Sequence, residues 1–277
     1  MNARQALSEA AAELERAGVP SPRVDAEWLL ADALGVTRTE LYADGTSPLS
    51  DETQRSFRSA VARRAKREPL AYVLGEWGFR RLTLQVDSRV LIPRPETEVL
   101  VERSLELLAE VPEPQVLDIG AGSGAIALAI VDEHPGARVV ATESSRGALA
   151  VAAENRARLG AGDRVELVEG ELFAGLAGPF DLVVSNPPYV DAADLASLEP
   201  EVRLYEPRDA LVATGLTERI AHGAPAVLRR GGSLALEVGD GDAHRVAGDL
   251  AARGYEAVVI TDDLAGRERV VDGRTPR

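Results

Sequence analysis

The sequence predicts an α/β protein, in which a doubly wound, mostly parallel seven-stranded sheet follows a small N-terminal helical domain and a β-hairpin connector. From about residue 95 onward, short apolar runs alternate with helical segments, which is typical of a parallel sheet with helices on both faces. Residues 1–72 carry helical periodicity alone. Residues 73–93 partly alternate apolar and polar side chains, which indicates a hairpin or short strands.

The helices of the first domain are marked by apolar spacing and by residues that end a helix. Ala6 and Leu7 begin an apolar series at helical intervals, and Gly35 ends the next helix. Residues 51–67 form a further helix, which ends before Pro69 because the residue preceding a proline avoids helical geometry. In the connector, Trp77 and Phe79 are interpreted as hairpin core rather than as substrate contacts.

The elements of the α/β part follow one another in regular order. Strands are predicted over residues 115–119, 137–142, 165–168, 180–184, 233–238, 256–260 and 267–271. Helices are predicted from residue 125 to at least 131, and over 146–159, 216–229 and 243–253. The predicted organisation is a helical domain over 1–72, a hairpin connector over 73–93 and an α/β domain over 94–277.

Composition limits the chemistry available to the chain. Its 277 residues are 45% hydrophobic, which is enough for a substantial core, and none is cysteine. The absence of cysteine excludes disulfides, thiolate nucleophiles and cysteine-ligated metals. The three histidines are far apart and match no zinc pattern, so we expect no metal.

Charge and hydropathy bear on partners and location. The formal net charge is −14, which argues against direct nucleic-acid binding because phosphate neutralisation requires a basic excess. The one dense basic run, Arg63-Arg64-Ala65-Lys66-Arg67, is interpreted as a solvated helix face rather than an RNA contact. The N-terminus lacks a signal-peptide pattern, and the longest apolar run has seven residues, against the ~20 of a membrane span. We expect a cytoplasmic protein without membrane contact.

A glycine-rich loop joins the first strand of the α/β domain to its first helix. Asp118 lies at the end of that strand, and the loop itself is Gly120-Ala121-Gly122-Ser123-Gly124. Alternate glycines let the backbone turn sharply and approach a ligand closely. Glu143 ends the next strand, where a carboxylate can accept hydrogen bonds from ribose hydroxyls.

Two nucleotide cofactors fit this loop. Gly120, Gly122 and Ala125 also match the dinucleotide pattern G-x-G-x-x-G/A, so the loop alone does not separate NAD from S-adenosylmethionine. Asp118 favours S-adenosylmethionine, because a carboxylate offsets positive charge and would repel a pyrophosphate. The turn Gly170-Glu171-Leu172-Phe173 follows the third strand; Glu171 is predicted to contact adenine, with Leu172 and Phe173 either on its face or in the core.

The segment Asn186-Pro187-Pro188-Tyr189 follows a buried strand at the sheet edge where α/β proteins bind ligands. Two prolines stiffen the chain and remove two backbone donors. The carbonyls of Asn186 and Pro187, with the Asn186 side chain, then form a rigid set of acceptors beside the Tyr189 ring. This set suits a planar NH2 group, in an amide or in a nucleobase.

These motifs together resemble class I S-adenosylmethionine-dependent methyltransferases that act on planar nitrogen. Residues 91–98 (Leu-Ile-Pro-Arg-Pro-Glu-Thr-Glu) resemble the signature of the peptide chain release factor glutamine methyltransferases, and so do residues 68–76 (Glu-Pro-Leu-Ala-Tyr-Val-Leu-Gly-Glu). Tyr205-Glu206-Pro207 and Asp263-Leu264-Ala265-Gly266 also fit that family, so the resemblance spans nearly the whole chain. Glu143 and Glu171 stand where aspartate is more common in it.

The resemblance implies function. The expected reaction is methyl transfer from S-adenosylmethionine to the glutamine of a Gly-Gly-Gln motif in bacterial release factors. Residues 1–72 would help to bind the factor, and Arg94 and Glu96 would line the substrate pocket. We expect a monomer. The alternatives are amino-methylation of a nucleobase or of a ribosomal-protein glutamine.

The predicted active-site residues position the amide rather than activate it. An amide nitrogen is a poor nucleophile, and its resonance is on the scale of the ~18–20 kcal/mol rotation barrier. Two hydrogen bonds of about 1–3 kcal/mol each cannot localise that lone pair. Asn186 and Pro187 are therefore predicted to orient the nitrogen and to stabilise the charge that develops on it, with Tyr189 excluding water.

Overall fold

A computed structural model describes residues 1–43 and 48–277 of the chain. The chain forms two compact units, of which the first comprises Met1–Glu76 and Leu198–Tyr205. The second comprises Trp77–Ser197 and Glu206–Arg277. Among the described residues, no helix is both long and apolar enough to cross a membrane.

Helices and strands are numbered in chain order. The helices are α1 (Ala3–Arg16), α2 (Pro22–Leu34), α3 (Arg38–Ala43), α4 (Asp51–Ala65), α5 (Leu70–Leu74), α6 (Pro95–Leu108), α7 (Ala125–Glu133), α8 (Arg146–Arg158), α9 (Pro200–Tyr205), α10 (Leu216–Gly223) and α11 (Ala243–Ala252). The strands are β1 (Glu76–Phe79), β2 (Leu82–Gln85), β3 (Gln115–Ile119), β4 (Arg138–Glu143), β5 (Val165–Glu169), β6 (Phe180–Ser185), β7 (Leu228–Glu237), β8 (Glu256–Asp262) and β9 (Glu268–Arg274).

The first unit is a helical bundle whose helices begin at polar caps. The Asn2 side chain accepts from the backbone N–H of Gln5, and the Ser50 hydroxyl accepts from that of Thr53. The apolar faces of α1, α2 and α4 then meet in one core. That core contains Leu14, Leu29, Leu30, Phe57 and Val61, all nearly or fully buried.

The basic run at the end of α4 is solvated only in part: Arg63 and Lys66 are exposed, but the interpretation is wrong for Arg64 and Arg67. The Arg64 side chain is only 5% exposed and lies 2.7 Å from Asp25 and 2.8 Å from Glu201. Arg67 lies 2.6 Å from the other oxygen of Glu201. A buried guanidinium needs a partner, and Glu201, from the distant helix α9, provides one within the same unit.

The second unit contains a seven-stranded sheet in the order β5-β4-β3-β6-β7-β9-β8, and β1 and β2 form a separate hairpin. Pairing from β5 to β7 is parallel, and β9 is antiparallel to both β7 and β8. The predicted doubly wound, mostly parallel sheet is therefore confirmed. In the hairpin Phe79 is buried, as predicted, while Trp77 is half-buried.

The chain between β6 and β7 differs from the sequence prediction at one element. A helix was expected over residues 216–229, but α10 ends at Gly223. Pro225 follows in a short 3-10 turn, since proline cannot supply the N–H that would continue an α-helix. Leu228 then pairs with Phe180 as the beginning of β7.

Candidate active site

Four parallel strands end at the same edge of the sheet and bring the predicted site residues together. Ile119 of β3 pairs with Thr142 of β4 on one side and with Ser185 of β6 on the other. Ser185 in turn pairs with Leu236 of β7. The strand order reverses between β3 and β6, and this switch point is where open α/β sheets bind ligands.

The glycine-rich loop after β3 has a conformation that requires glycine. Gly120, Gly122 and Gly124 have φ angles of 81°, 55° and 83°, in the left-handed region. A Cβ added at Gly120 or Gly122 would meet no atom within 4 Å, so the space beside the loop is open. Backbone that turns this way beside open space forms a cradle for a ligand.

Hydrogen bonds to the neighbouring strand fix this loop. The backbone N–H groups of Gly120 and Ala121 both donate to the carbonyl of Thr142, each at 2.9 Å. The N–H of Gly122 donates to Oε2 of Glu143 at 2.9 Å. Glu143, predicted to bind ribose, thus also stabilises the loop that it faces.

The carboxyl group of Asp118 is fully buried beneath this loop. Its Oδ2 accepts from the backbone N–H of Ala127, in the first turn of α7, at 3.2 Å. Its Oδ1 has no hydrogen-bond partner among the described residues. Burial, and to a lesser extent the charge of Glu143, raises the pKa of Asp118 to about 7.

This arrangement fits S-adenosylmethionine, the cofactor of the methyltransferase family. The open glycine cradle and the Glu143 carboxylate match a nucleoside, and the unpartnered Oδ1 belongs to the Asp118 carboxyl group, whose ionised form a cationic ligand would favour. We therefore expect Gly120, Gly122, Glu143 and Asp118 to hold it.

The turn predicted to contact adenine is partly engaged elsewhere. Glu171 is exposed and lies 2.7 Å from Arg219. Leu172 has a φ angle of 53° and packs with Phe173 beside the apolar cluster on one face of the sheet. The Phe173 ring lies so close to Gly223 that a Cβ there would come within 2.4 Å of it. The adenine role of these residues stays a prediction.

The loop after β6 is fixed by two side-chain hydrogen bonds. The amide nitrogen Nδ2 of Asn186 donates to Oγ1 of Thr97, in the first turn of α6, at 3.1 Å. The Tyr189 hydroxyl donates to Oε1 of Glu237, the last residue of β7, at 3.3 Å. Burial is the main cause that raises the pKa of Tyr189 to about 12, so its hydroxyl keeps its proton at neutral pH.

The acceptors predicted for this loop remain available. Within residues 1–43 and 48–277, no backbone N–H donates to the carbonyl of Asn186 or Pro187. Asn186 uses its amide nitrogen toward Thr97, and its Oδ1 is therefore the group left to accept from another molecule. The loop thus has the acceptors that a planar NH2 group requires.

Glu237 is the buried partner of Tyr189 in this loop. It is 1% exposed, and its Oε1 accepts the hydrogen bond from the Tyr189 hydroxyl. Burial raises its pKa to about 7, against the lowering effects of Thr97, Arg269 and Tyr189. Its second oxygen, Oε2, has no partner among the described residues that lies within hydrogen-bond distance.

Arg94 and Glu96, predicted to line the substrate pocket, each form an ion pair within the second unit. Arg94 pairs with Glu206, whose side chain is 1% exposed and also accepts from the backbone N–H of Ile92 at 3.3 Å. Burial raises the pKa of Glu206. Glu96 lies 3.3 Å from Arg267. Their substrate role stays a prediction.

Two supporting residues were not identified from the sequence. Asn155, fully buried on α8, donates to the carbonyl of Ser123 at 2.9 Å and to that of Gln85 at 3.0 Å. The sequence feature that could have identified Asn155 is an amide side chain on the apolar face of a predicted helix. Glu237 is the last residue of the buried strand β7, as Glu143 is of β4, and the same reasoning would have selected it.

Two segments of the chain match known protein families. Residues 5–75 match the family described as the PrmC N-terminal domain, and residues 96–200 match the methyltransferase small domain. The structure of the hMettl16 catalytic domain in complex with a MAT2A 3′UTR hairpin superposes with a TM-score of 0.60 at 18% identity, covering 77% of this chain and 81% of that one. At that identity the likeness concerns the fold alone.

Two sequence relatives extend over nearly the whole chain. The release factor glutamine methyltransferase of Deinococcus radiodurans is 44% identical over 280 residues, covering 99% of this chain and 99% of the relative. That of Geobacter sulfurreducens is 46% identical over 276 residues, covering 98% and 96%. The predicted resemblance is confirmed, and the chain belongs to the family of release factor glutamine methyltransferases.

Proposed function

We propose that this protein methylates the side-chain amide nitrogen of the glutamine in the Gly-Gly-Gln motif of bacterial peptide chain release factors. The observation that carries the proposal is similarity over 98–99% of the chain to proteins of that activity, which includes the helical first unit as well as the cofactor loop. A nucleobase methyltransferase would share the second unit without a reason to share the first.

The free acceptors of the loop after β6 support an amide substrate. Oδ1 of Asn186 and the backbone carbonyl of Pro187 would accept the two N–H groups of the glutamine carboxamide. With both N–H groups held, the nitrogen has one orientation, and alignment of this kind can lower a barrier by ~7–11 kcal/mol. The same acceptors stabilise the positive charge that develops on nitrogen.

S-adenosylmethionine, when bound, supplies an electrophilic methyl group on a sulfonium. The chain contributes the cradle of Gly120 and Gly122, the Glu143 carboxylate and the buried Asp118. Tyr189 would pack on the flat carboxamide and exclude water. No histidine is needed, because a methylated amide cation is acidic enough to release its proton to water.

The direct test is mass spectrometry of a bacterial release factor incubated with the protein and methyl-labelled cofactor. We expect a gain of one methyl group on the peptide that contains Gly-Gly-Gln. A matched release factor with that glutamine changed to alanine should gain none. Methylation of ribosomal RNA or a ribosomal protein in parallel reactions, with none on the release factor, would overturn the proposal.

A further inference from the structure

A buried carboxylate fixes the chain where α6 begins. The side chain of Glu206 is 1% exposed, and its Oε2 accepts from the backbone N–H of Ile92 at 3.3 Å. Its other oxygen, Oε1, accepts from Nη2 of Arg94, the residue at the N-cap position of α6. Both contacts come from donors, as an ionised carboxylate requires. One carboxylate thus holds the backbone that leads into α6 and the side chain at its N-terminus.

The guanidinium of Arg94 is only partly used by this contact. The Arg94 side chain is 31% exposed, although its partner is buried. Nη2 donates to Glu206, while Nε and Nη1 have no hydrogen-bond partner in the part of the chain that the structure describes. A guanidinium carries five N–H donors in a planar fork, so fixing one edge of the plane also sets the directions of the remaining donors.

Arg94 lies one helical turn from the residue that supports the loop after β6. Its backbone carbonyl accepts from the N–H of Thr97 at 3.1 Å. Oγ1 of Thr97 in turn accepts from the side-chain amide of Asn186 at 3.1 Å. Because one turn of helix spans about 5.4 Å, the free donors of Arg94 can reach a peptide whose glutamine is held at Asn186.

The charge of the pair indicates which acceptor would suit these donors. Glu206 and Arg94 together carry no net charge, so the pair offers hydrogen bonds without the positive excess that binding to phosphates requires. A neutral peptide carbonyl is the matching acceptor. The two glycines that precede the target glutamine have no side chains, so a protein can recognise them only through their backbone groups.

We propose that Arg94 recognises the Gly-Gly segment of the substrate by donating hydrogen bonds to its backbone carbonyl oxygens, and that Glu206 is the positioning residue that fixes the guanidinium for this contact. The inference rests on the proposed function, since it specifies how the peptide around the glutamine is bound. The glycine carbonyls do not change charge during methyl transfer. Loss of the contact should therefore raise KM much more than it lowers kcat.

Two single substitutions test the assignment, with a release factor as substrate. Arg94→Ala removes the donors, and we expect KM to rise about 10- to 100-fold, as for the loss of a hydrogen bond to a charged group. Glu206→Gln keeps the shape but leaves one acceptor oxygen for two donors, so KM should rise about 3- to 10-fold. Cofactor Kd, measured by calorimetry, should be unchanged in both variants.

The combined variant separates recognition from stability. Arg94→Ala leaves a buried carboxylate without its partner and should lower thermal stability, which Glu206→Gln in the same chain should partly restore. If Glu206 acts through Arg94, the KM of the double variant should equal that of Arg94→Ala alone. Effects on KM that multiply in the double variant, or a KM that recovers together with stability, would overturn the positioning role.

Another buried carboxylate in the second unit provides the matched control. Asp272 on β9 is 1% exposed and lies 2.8 Å from Nε of Arg103, which is itself partly exposed on α6. Asp272→Asn and Arg103→Ala should lower thermal stability without changing KM for the release factor. A rise in KM equal to that of the Arg94 variants would show that loss of a buried ion pair is the cause.

A direct readout of the contact completes the test. In a release factor labelled with 13C at its glycine carbonyls, at least one carbonyl resonance of the motif should shift on binding to wild-type protein. That shift should be absent on binding to Arg94→Ala. A normal KM in Arg94→Ala, or motif carbonyl resonances that are the same in both complexes, would overturn the inference. If wild-type protein left the release factor unmethylated, the proposed function would fail instead.

Discussion

Two loops at the same edge of the sheet are built in opposite ways. The loop after β3 is defined by its backbone: three glycines in left-handed conformation, bonded to the adjacent strand β4. The loop after β6 is defined by side chains that are remote in sequence. Asn186 is bonded to Thr97, 89 residues away, and Tyr189 to Glu237, 48 residues away.

The difference matches the two tasks. A cofactor used in every turnover can be held by backbone, which needs only the correct conformation and a carboxylate from the next strand. An amide substrate must meet acceptors of defined direction, and direction depends on side-chain hydrogen bonds. Changes in the first loop should therefore affect cofactor affinity, and changes in the second should affect turnover.

The largest expected effect is on turnover. Asn186→Ala removes an acceptor that is aimed at the substrate amide, and we expect kcat to fall about 10²–10³-fold, as for the loss of one oriented group in other active sites. Cofactor Kd should change no more than a few-fold, which calorimetry can measure. Asn2→Ala, at the cap of α1, is the control and should leave kcat near wild type. Near-normal turnover in Asn186→Ala would contradict the positioning account.

A smaller effect, confined to binding, is expected in the cofactor loop. Gly122→Ala places a Cβ in the open cradle and strains a residue with φ of 55°, at about 1–2 kcal/mol. We expect cofactor Kd to rise about ten-fold or more, since the strain and the blocked space both oppose binding. Turnover at saturating cofactor should be retained.

Gly160 offers a matched control for this substitution. It follows α8 with φ of 65°, and a Cβ there would also meet nothing within 4 Å. Gly160→Ala should lower thermal stability by a similar amount without changing cofactor Kd. A comparable loss of affinity in both variants would show that general destabilisation, rather than the cradle, is the cause.

Cofactor affinity should also depend on pH through Asp118. Burial raises its pKa to about 7, so much of it is neutral at neutral pH. A cationic ligand favours the ionised form, and binding should therefore release protons and become tighter as pH rises from 6 to 8. Calorimetry in buffers of different ionisation enthalpy measures this release. Asp118→Asn should abolish it; proton uptake in the wild type would contradict the account.

The smallest expected effect lies outside both loops. Ser50 caps α4 in the first unit by accepting from the N–H of Thr53 at 3.1 Å. Ser50→Ala should cost about 1 kcal/mol of unfolding free energy. Neither cofactor Kd nor kcat on a short Gly-Gly-Gln peptide should change. A change in either value would show that the two loops depend on stability elsewhere in the chain.

The contrast between the loops also explains what could be predicted from the sequence. Strands, glycines and prolines follow local rules, so β3, β6 and both loops lie where their patterns placed them. The predicted helix wrongly included Pro225, and β7 begins earlier than predicted. An apolar run after a helix does not reveal where strand pairing begins.

The sequence alone could not predict which side chains become hydrogen-bond or ion-pair partners, and the reason is physical. That Thr97 supports Asn186 depends on α6 and β6 meeting in space, which no local pattern states. Arg64 illustrates the same limit, because its partner Glu201 is 137 positions later and converts an apparent surface charge into a buried ion pair. The fold determines which residues become partners, whereas the composition shows only that charged residues are present.

The most direct test is single-turnover methyl transfer to a release factor, measured at saturating cofactor for Gly122→Ala and Asn186→Ala. It tests whether the loop after β3 governs cofactor affinity and the loop after β6 governs turnover. We predict that Gly122→Ala reaches the wild-type rate once cofactor is saturating, while Asn186→Ala stays about 100-fold slower at any cofactor concentration. Equal rates in the two variants, or recovery of Asn186→Ala on adding cofactor, would contradict the account.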